Sequence, residues 1–313
     1  MKRKVILDCD PGHDDVIALL LAARSPALDL RAITVVAGNQ TLPKTLNNAL
    51  RVCSLAGITN IPVAAGMSRP LVREQIVAAD IHGASGLDGP SLPEPSISPA
   101  PIHAVDLIVD EVLAAPGEVT LIPVGPLTNI AAALRREPAI APLIQRIVLM
   151  GGGITKGNVT PVAEFNIHAD PEAAHVVFQS GVPLTMVGLD VTHQSIPGPE
   201  ERERVRRIGS PVAVVVDQLL EFFGHTYRQR FGFDGPPVHD ACAVAEVIEP
   251  GLIRTRRVNV AIELRGALSY GMTVCDMYGV TGRAPNADVG VELDRTRFWD
   301  LLIDGLYRYG ALV

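Results

Sequence analysis

Short aliphatic runs alternate with helical stretches through the first 190 residues, and this alternation constrains the chain more than any other feature. "KVILD" reads as a strand and "DDVIALLLAARS" as a helix whose acidic first turn suits the helix dipole. "LRAITVVAG" predicts a second strand, "TLPKTLNNALRVCSLAG" a helix stopped by Gly57, and "IPVAAG" a third strand. "EVTLIPVG" and "PLTNIAAALRR" repeat the step, as do "QRIVLMGGG" and "DPEAAHVVFQSG" leading into "PLTMVGLD". Such a chain folds as an α/β protein with an open, mainly parallel, doubly wound sheet flanked by helices. Ligands bind such sheets beyond the carboxyl ends of the strands. Asp8, Asp10, Asn39, Val124, Met150 and Asp190 all fall at those ends, which points to a single site.

At the end of the first strand, "VILDCDPGHDD" sets Asp8, Asp10, Asp14 and Asp15 around a Pro11-Gly12 turn. Carboxylates this close repel, and each one that ionises raises the pKa of its neighbours. Asp8 and Asp10 share a face if the strand extends that far, while Asp14 and Asp15 leave the first helical turn in different directions. Two or three of them, with another from elsewhere, would suit calcium or magnesium, which need several oxygen ligands in one place. The plainer reading is a solvated, N-capping acidic turn. An EF-hand is excluded by spacing, because His13 stands where its glycine belongs and Leu19 where its closing glutamate belongs. "ILDCDP" also resembles the D-x-D opening of haloacid-dehalogenase-type phosphatases, in which Asp8 would be the nucleophile and Asp10 the acid/base. Gly12 departs from that family's Thr or Val, and its late paired acids have no convincing counterpart here.

Composition narrows the classes. Aromatics make up only 4% against 48% hydrophobic residues, so the core must be aliphatic. A net charge of -7, from 27 basic and 34 acidic residues, gives no nucleic-acid footprint. Acids cut the apolar start too early for a secretory signal, and "VIALLLAA" is too short to span a bilayer, so no membrane partner is expected. Cys9, Cys53, Cys242 and Cys275 are scattered, as befits buried reduced thiols in a cytoplasmic protein. With no clear linker or repeat, residues 1–313 are expected to form one domain. Residues 67–101, rich in Pro, Gly and Ser, read as a lid or a surface excursion. Strand-like runs are expected between Arg257 and Val291, and a last helix from Arg295. "GGGITKGN" lacks the ending of a triphosphate-binding loop and reads as a tight turn. The aromatics of "FFGHTYRQRFGFDG" are core residues or ligand contacts.

"DCDPGHDDVIALLLA" strongly resembles the start of the inosine-uridine-preferring nucleoside hydrolases. "AITVVAGNQ", "IHGASG", "PVGPLTNIA", "IVLMGGG", "VAEFNIHADPEAA", "MVGLDVTH" and "VHDACAVA" follow in that family's order and spacing, over essentially the whole chain. The resemblance implies a nucleoside hydrolase fold with a Rossmann-like core. It implies calcium held by Asp10, Asp15, the Val124 carbonyl and Asp240, and a calcium-bound water deprotonated by Asp14. Val124 replaces a common Thr, a change that leaves the carbonyl in place. Asn39 and Asn166 would hold the ribose hydroxyls, and Asn158 and Glu164 the 5'-hydroxyl, with Met150 beside them. An extended "AEFNI" would present Glu164 and Asn166 to one side. His239 would serve the leaving base, with His82 and Tyr227 lining the base pocket. Asp8 reads as a structural hydrogen-bonder, and the remaining histidines, His13 included, as structural or surface residues. The implied activity is calcium-dependent hydrolysis of ribonucleosides to ribose and a free base, in nucleoside salvage, by a homo-oligomer (tetramer or dimer). A calcium-dependent nucleoside-binding protein without turnover is the other alternative, against which the spare base Asp14 argues.

Overall fold

The computed structural model describes residues 2–310. The strands are β1 (Arg3–Cys9), β2 (Leu28–Val35), β3 (Val63–Ala65), β4 (Val119–Pro123), β5 (Arg146–Met150), β6 (Leu184–Val187), β7 (Ile253–Ile262), β8 (Thr273–Asp276) and β9 (Ala287–Leu293). They form one nine-stranded sheet in the order β3-β2-β1-β4-β5-β6-β9-β7-β8. All pairs from β3 to β9 are parallel, and β7 and β8 add an antiparallel edge. The chain builds outward from β1 through β2 to β3, then returns to β1's other side with β4. That reversal opens a crevice beyond the carboxyl ends of β1 and β4, where an open parallel sheet binds its ligands.

The connecting helices are α1 (His13–Arg24), α2 (Leu42–Leu55), α3 (Ala79–His82), α4 (Ala104–Ala114), α5 (Thr128–Arg136), α6 (Phe165–Ala169), α7 (Pro171–Phe178) and α8 (Leu189–Thr192). Later come α9 (Pro199–Ile208), α10 (Pro211–Phe231), α11 (His239–Ile248) and α12 (Arg295–Tyr307). Pleat alternation sorts β1 between two cores: Val5 and Leu7 join the cluster over α1, α11 and α12, and Ile6 the cluster under α4, α5 and α7. Helix α1 is buried from Val16 to Ala22, which explains its apolar surface all round. The Asp15 carboxylate accepts the Gly12 N–H at its start, and Pro26 follows directly on its C-cap, Ser25.

The expected elements are present, with two differences. Helix α4, which follows the proline-rich stretch, lies outside the expected elements, and "AEFNI" is not extended. Glu164 is extended there, but α6 begins at the next residue. Residues 67–101 contain one short helix, α3. No helix among the described residues is long and apolar enough to cross a membrane.

Candidate active site

Four carboxylates meet at the crevice. Asp10 lies just past β1, Asp14 and Asp15 lie in the first turn of α1, and Asp240 lies in the first turn of α11, which packs against α1. All four are buried. Asp14, Asp15 and Asp240 each offer an oxygen, and these lie within 4.8 Å of one another. Asp15 is anchored by the N–H groups of Asp10 (3.0 Å) and Gly12 (2.9 Å) and by Asn39 Nδ2 (3.1 Å). Asp10 Oδ2 accepts the Asn39 N–H at 2.6 Å, while its Oδ1 is buried without a hydrogen-bond partner. Gly38 is required here, because a Cβ would stand 2.1 Å from Asp10 Oδ2.

Burial, reinforced by the neighbouring carboxylates, raises the pKa of Asp10 and Asp240 well above the ordinary range and that of Asp14 to about 8. Burial likewise raises Asp15, against the backbone N–H groups that it accepts. None of the four joins an ion pair among the described residues. A floor of buried oxygens with one orphaned acceptor fits a hard divalent cation. Asp8, by contrast, is tied into the sheet: its Oδ1 accepts Thr34 Oγ1 at 2.6 Å and Asn129 Nδ2 at 2.7 Å. These bonds are those of the structural hydrogen-bonder expected for Asp8, whose Oδ2 is left buried without a partner.

Above this floor opens a cavity of about 310 Å³, within the range of small-molecule sites. One end is polar. Asn166 donates Nδ2 to the carbonyls of Val124 (2.8 Å) and Met150 (3.2 Å), which leaves its Oδ1 as the free acceptor. Asn158 Oδ1 accepts the Phe165 N–H at 2.9 Å, which leaves its amide donors free. Glu164 caps α6, accepting the N–H groups of Asn166 (2.9 Å), Ile167 (3.1 Å) and Gly152 (2.9 Å). Burial nevertheless lifts it to about 7. Asn39, Asp14 and Asp240 complete this end.

The other end is aromatic and apolar, walled by Phe223, Tyr227 and Phe231 of α10, by Ile76 and Ile81, and by His82 and His239. His239 is engaged at both ring nitrogens, Nδ1 with Thr192 Oγ1 at 2.7 Å and Nε2 with the Tyr227 hydroxyl at 2.8 Å. Burial holds its pKa well below the ordinary value, so the ring is neutral. Eleven of the residues singled out from sequence line the cavity, and Asp10 and Asp15 lie beneath it. Sequence reasoning missed Thr192, although it lies in the quoted "MVGLDVTH". It also placed His13 among structural residues; His13 is buried and stacks on His82 with ring centroids 5.2 Å apart.

Buried carboxylates, amide groups and aromatic rings line one cavity at the switch point of a parallel sheet, the place where enzymes of this architecture hold small molecules. The chain belongs to the inosine-uridine preferring nucleoside hydrolase family, which residues 5–300 match. It is 50% identical over 301 residues to the pyrimidine-specific ribonucleoside hydrolase RihB of Escherichia coli (strain K12), covering 96% of each chain. Among solved structures it resembles a purine-preferring ribonucleoside hydrolase from Gardnerella vaginalis, with 32% identity, a TM-score of 0.93 and coverage of 99% and 100%. A plant nucleoside hydrolase is similar at 32% identity and a TM-score of 0.89, with coverage of 98% and 99%.

Proposed function

We propose that the protein is a calcium-dependent ribonucleoside hydrolase that releases ribose and a free nucleobase. The observation that carries this reading is the lining of the cavity: oxygen and amide groups suited to ribose beside buried carboxylates, together with aromatic rings suited to a nucleobase. Asp10, Asp15, Asp240 and the Val124 carbonyl would hold the cation. When bound, it supplies positive charge that neutralises the crowded acids and makes a nearby water easier to deprotonate.

Asp14 takes the proton from the attacking water. The water oxygen bonds to the anomeric carbon, the bond to the base breaks, and its electron pair leaves with the base. Asn39 and Asn166 orient the ribose hydroxyls, and Asn158 and Glu164 the 5'-hydroxyl, so that the reacting atoms meet in one geometry. The Tyr227 hydroxyl, held by His239, offers the departing base a hydrogen bond, and Phe223 and Phe231 flank it. Stacking alone does not rank purines against pyrimidines.

The test is reducing-sugar release from inosine, guanosine, adenosine, uridine and cytidine, with calcium, after chelation, and after re-addition of calcium, magnesium or zinc. Ribose released with calcium and lost on chelation is the expected result. Cleavage of p-nitrophenyl phosphate without ribose release would overturn the reading in favour of a phosphatase. Tight nucleoside binding with no turnover would overturn it in favour of a binding protein.

A further inference from the structure

A second cavity of about 310 Å³ lies beside the first. Asn158, Tyr227 and Phe231 line both, so the two cavities adjoin along these three side chains. Lys156, Gly157, His193 and Phe233 complete the second, and none of them lines the first.

The walls of this cavity are mostly rings. The Phe233 ring lies 5.0 Å from that of His193, edge to face, 5.8 Å from that of Tyr227 and 6.1 Å from that of Phe231. Burial, with the Lys156 ammonium nearby, holds the pKa of His193 down to about 4, so it presents a neutral ring. Lys156 is exposed and contributes the one charge of this lining among the described residues. Such walls take up apolar and sulfur-bearing groups, because rings bury apolar surface well and a thioether gains from contact with their edges. One exposed, well-hydrated ammonium gives an anion little to hold.

Asn158 stands at the junction, and in the ribonucleoside hydrolase reading it holds the ribose 5'-hydroxyl. A substituent on the 5' carbon therefore leaves the first cavity where the second begins. We infer that the second cavity is a subsite for an uncharged, apolar 5' substituent, and that the protein also hydrolyses 5'-alkylthio ribonucleosides. The inference rests on the hydrolase reading and deepens it. The reaction is unchanged: the water oxygen bonds to the anomeric carbon, its proton goes to Asp14, and the bond to the base breaks with its electron pair. The products are the free base and a 5-alkylthioribose. The substituent lies away from the bond that breaks, so its burial raises kcat/KM through binding. Loss of the 5'-hydroxyl costs the same for every member of a thioether series, so chain length isolates the subsite.

The experiment measures kcat/KM, with calcium, for uridine and inosine and for their 5'-deoxy analogues bearing methylthio, ethylthio and propylthio groups. The enzymes compared are the wild type, Phe233→Ala and Lys156→Ala. In the wild type kcat/KM should rise about threefold for each added methylene along the series. That gain should vanish in Phe233→Ala, which removes a wall, and persist in Lys156→Ala. Uridine and inosine themselves should be hydrolysed much as by the wild type, because neither residue lines the first cavity. A flat or falling series in the wild type, with the parent nucleosides hydrolysed, would overturn the inference without need of any variant. A gain that survives in Phe233→Ala would place the substituent elsewhere and overturn it too. So would uridine 5'-phosphate cleaved faster than uridine with that advantage lost in Lys156→Ala, since the cavity would then be an anion subsite. Ribose released from no nucleoside would overturn the hydrolase reading and this inference with it, whereas the other three results overturn the inference alone.

Discussion

The Tyr227 hydroxyl lies 2.8 Å from Nε2 of His239, and both side chains are buried where α10 meets the start of α11. Thr192 Oγ1 occupies the other ring nitrogen at 2.7 Å, so the imidazole reaches a ligand only through the tyrosine or by breaking that contact. Tyr227→Phe should therefore lower kcat on natural nucleosides by about 10²-fold, the low end of general-acid contributions. A riboside with p-nitrophenolate as leaving group needs no proton and should lose little. Steady-state kinetics on both substrates checks this, and an equal loss on both would assign Tyr227 to packing instead.

Asp14 and Asp10 share the carboxylate floor but should behave differently when removed. Asp14→Ala is expected to cut turnover by about 10³-fold or more, as loss of a general base does, while calcium still binds. Asp10→Ala and Asp240→Ala should weaken calcium binding itself. Calcium titration calorimetry beside activity separates the two effects.

Chelation should make stability depend on pH. In the folded protein the carboxyl of Asp8 is raised from 3.8 to about 7, that of Glu164 from 4.5 to about 7, and that of Asp14 from 3.8 to about 8, burial being the first cause in each. The folded state thus holds protons that the unfolded chain releases near pH 4. Their stabilising contribution is complete below the unfolded pKa values and is lost as pH rises through 7 to 8. In chelator, Tm should fall by roughly 5 °C between about pH 5 and pH 8. Calcium should flatten the profile by neutralising the floor. Scanning calorimetry across that range, with and without calcium, measures it.

Arg230 of α10 and Asp80 of α3 form an ion pair across the cavity mouth, and both line the cavity. The two side chains are substantially exposed, so the pair contributes no more than about 1 kcal/mol. Arg230→Gln or Asp80→Asn should speed nucleoside dissociation by roughly two- to fivefold, and the double variant by no more than either single one. Stopped-flow release of a tight-binding nucleoside from Asp14→Asn backgrounds tests it.

The parallel sheet and the acids of the first strand end were legible because both signals are local: a strand-to-helix alternation, and like charges crowded around one turn. Asp240 is different. It reaches Asp15 only because α11 packs on α1, and no local pattern marks it, so it emerged through family resemblance alone. The expected extended "AEFNI" failed because Glu164 finds orphaned N–H groups at the start of α6 and ends the extended chain there. Thr192 escaped notice, and His13 was read as a structural or surface residue without its partner, for a related reason. Their partners, His239 and His82, lie 47 and 69 residues away, and an isolated Thr or His carries no sign of such a contact.

The cap on α6 has one further consequence. Glu164 is shared between a helix that needs its oxygens and a cavity that opens onto it. Oε2 already holds the N–H groups of Gly152 and Ile167, while Oε1 holds only that of Asn166 and keeps one lone pair for a hydroxyl. A ligand that donates there would brace the carboxylate that holds this helical turn, so amide exchange at Asn166 and Ile167 should slow as the cavity fills.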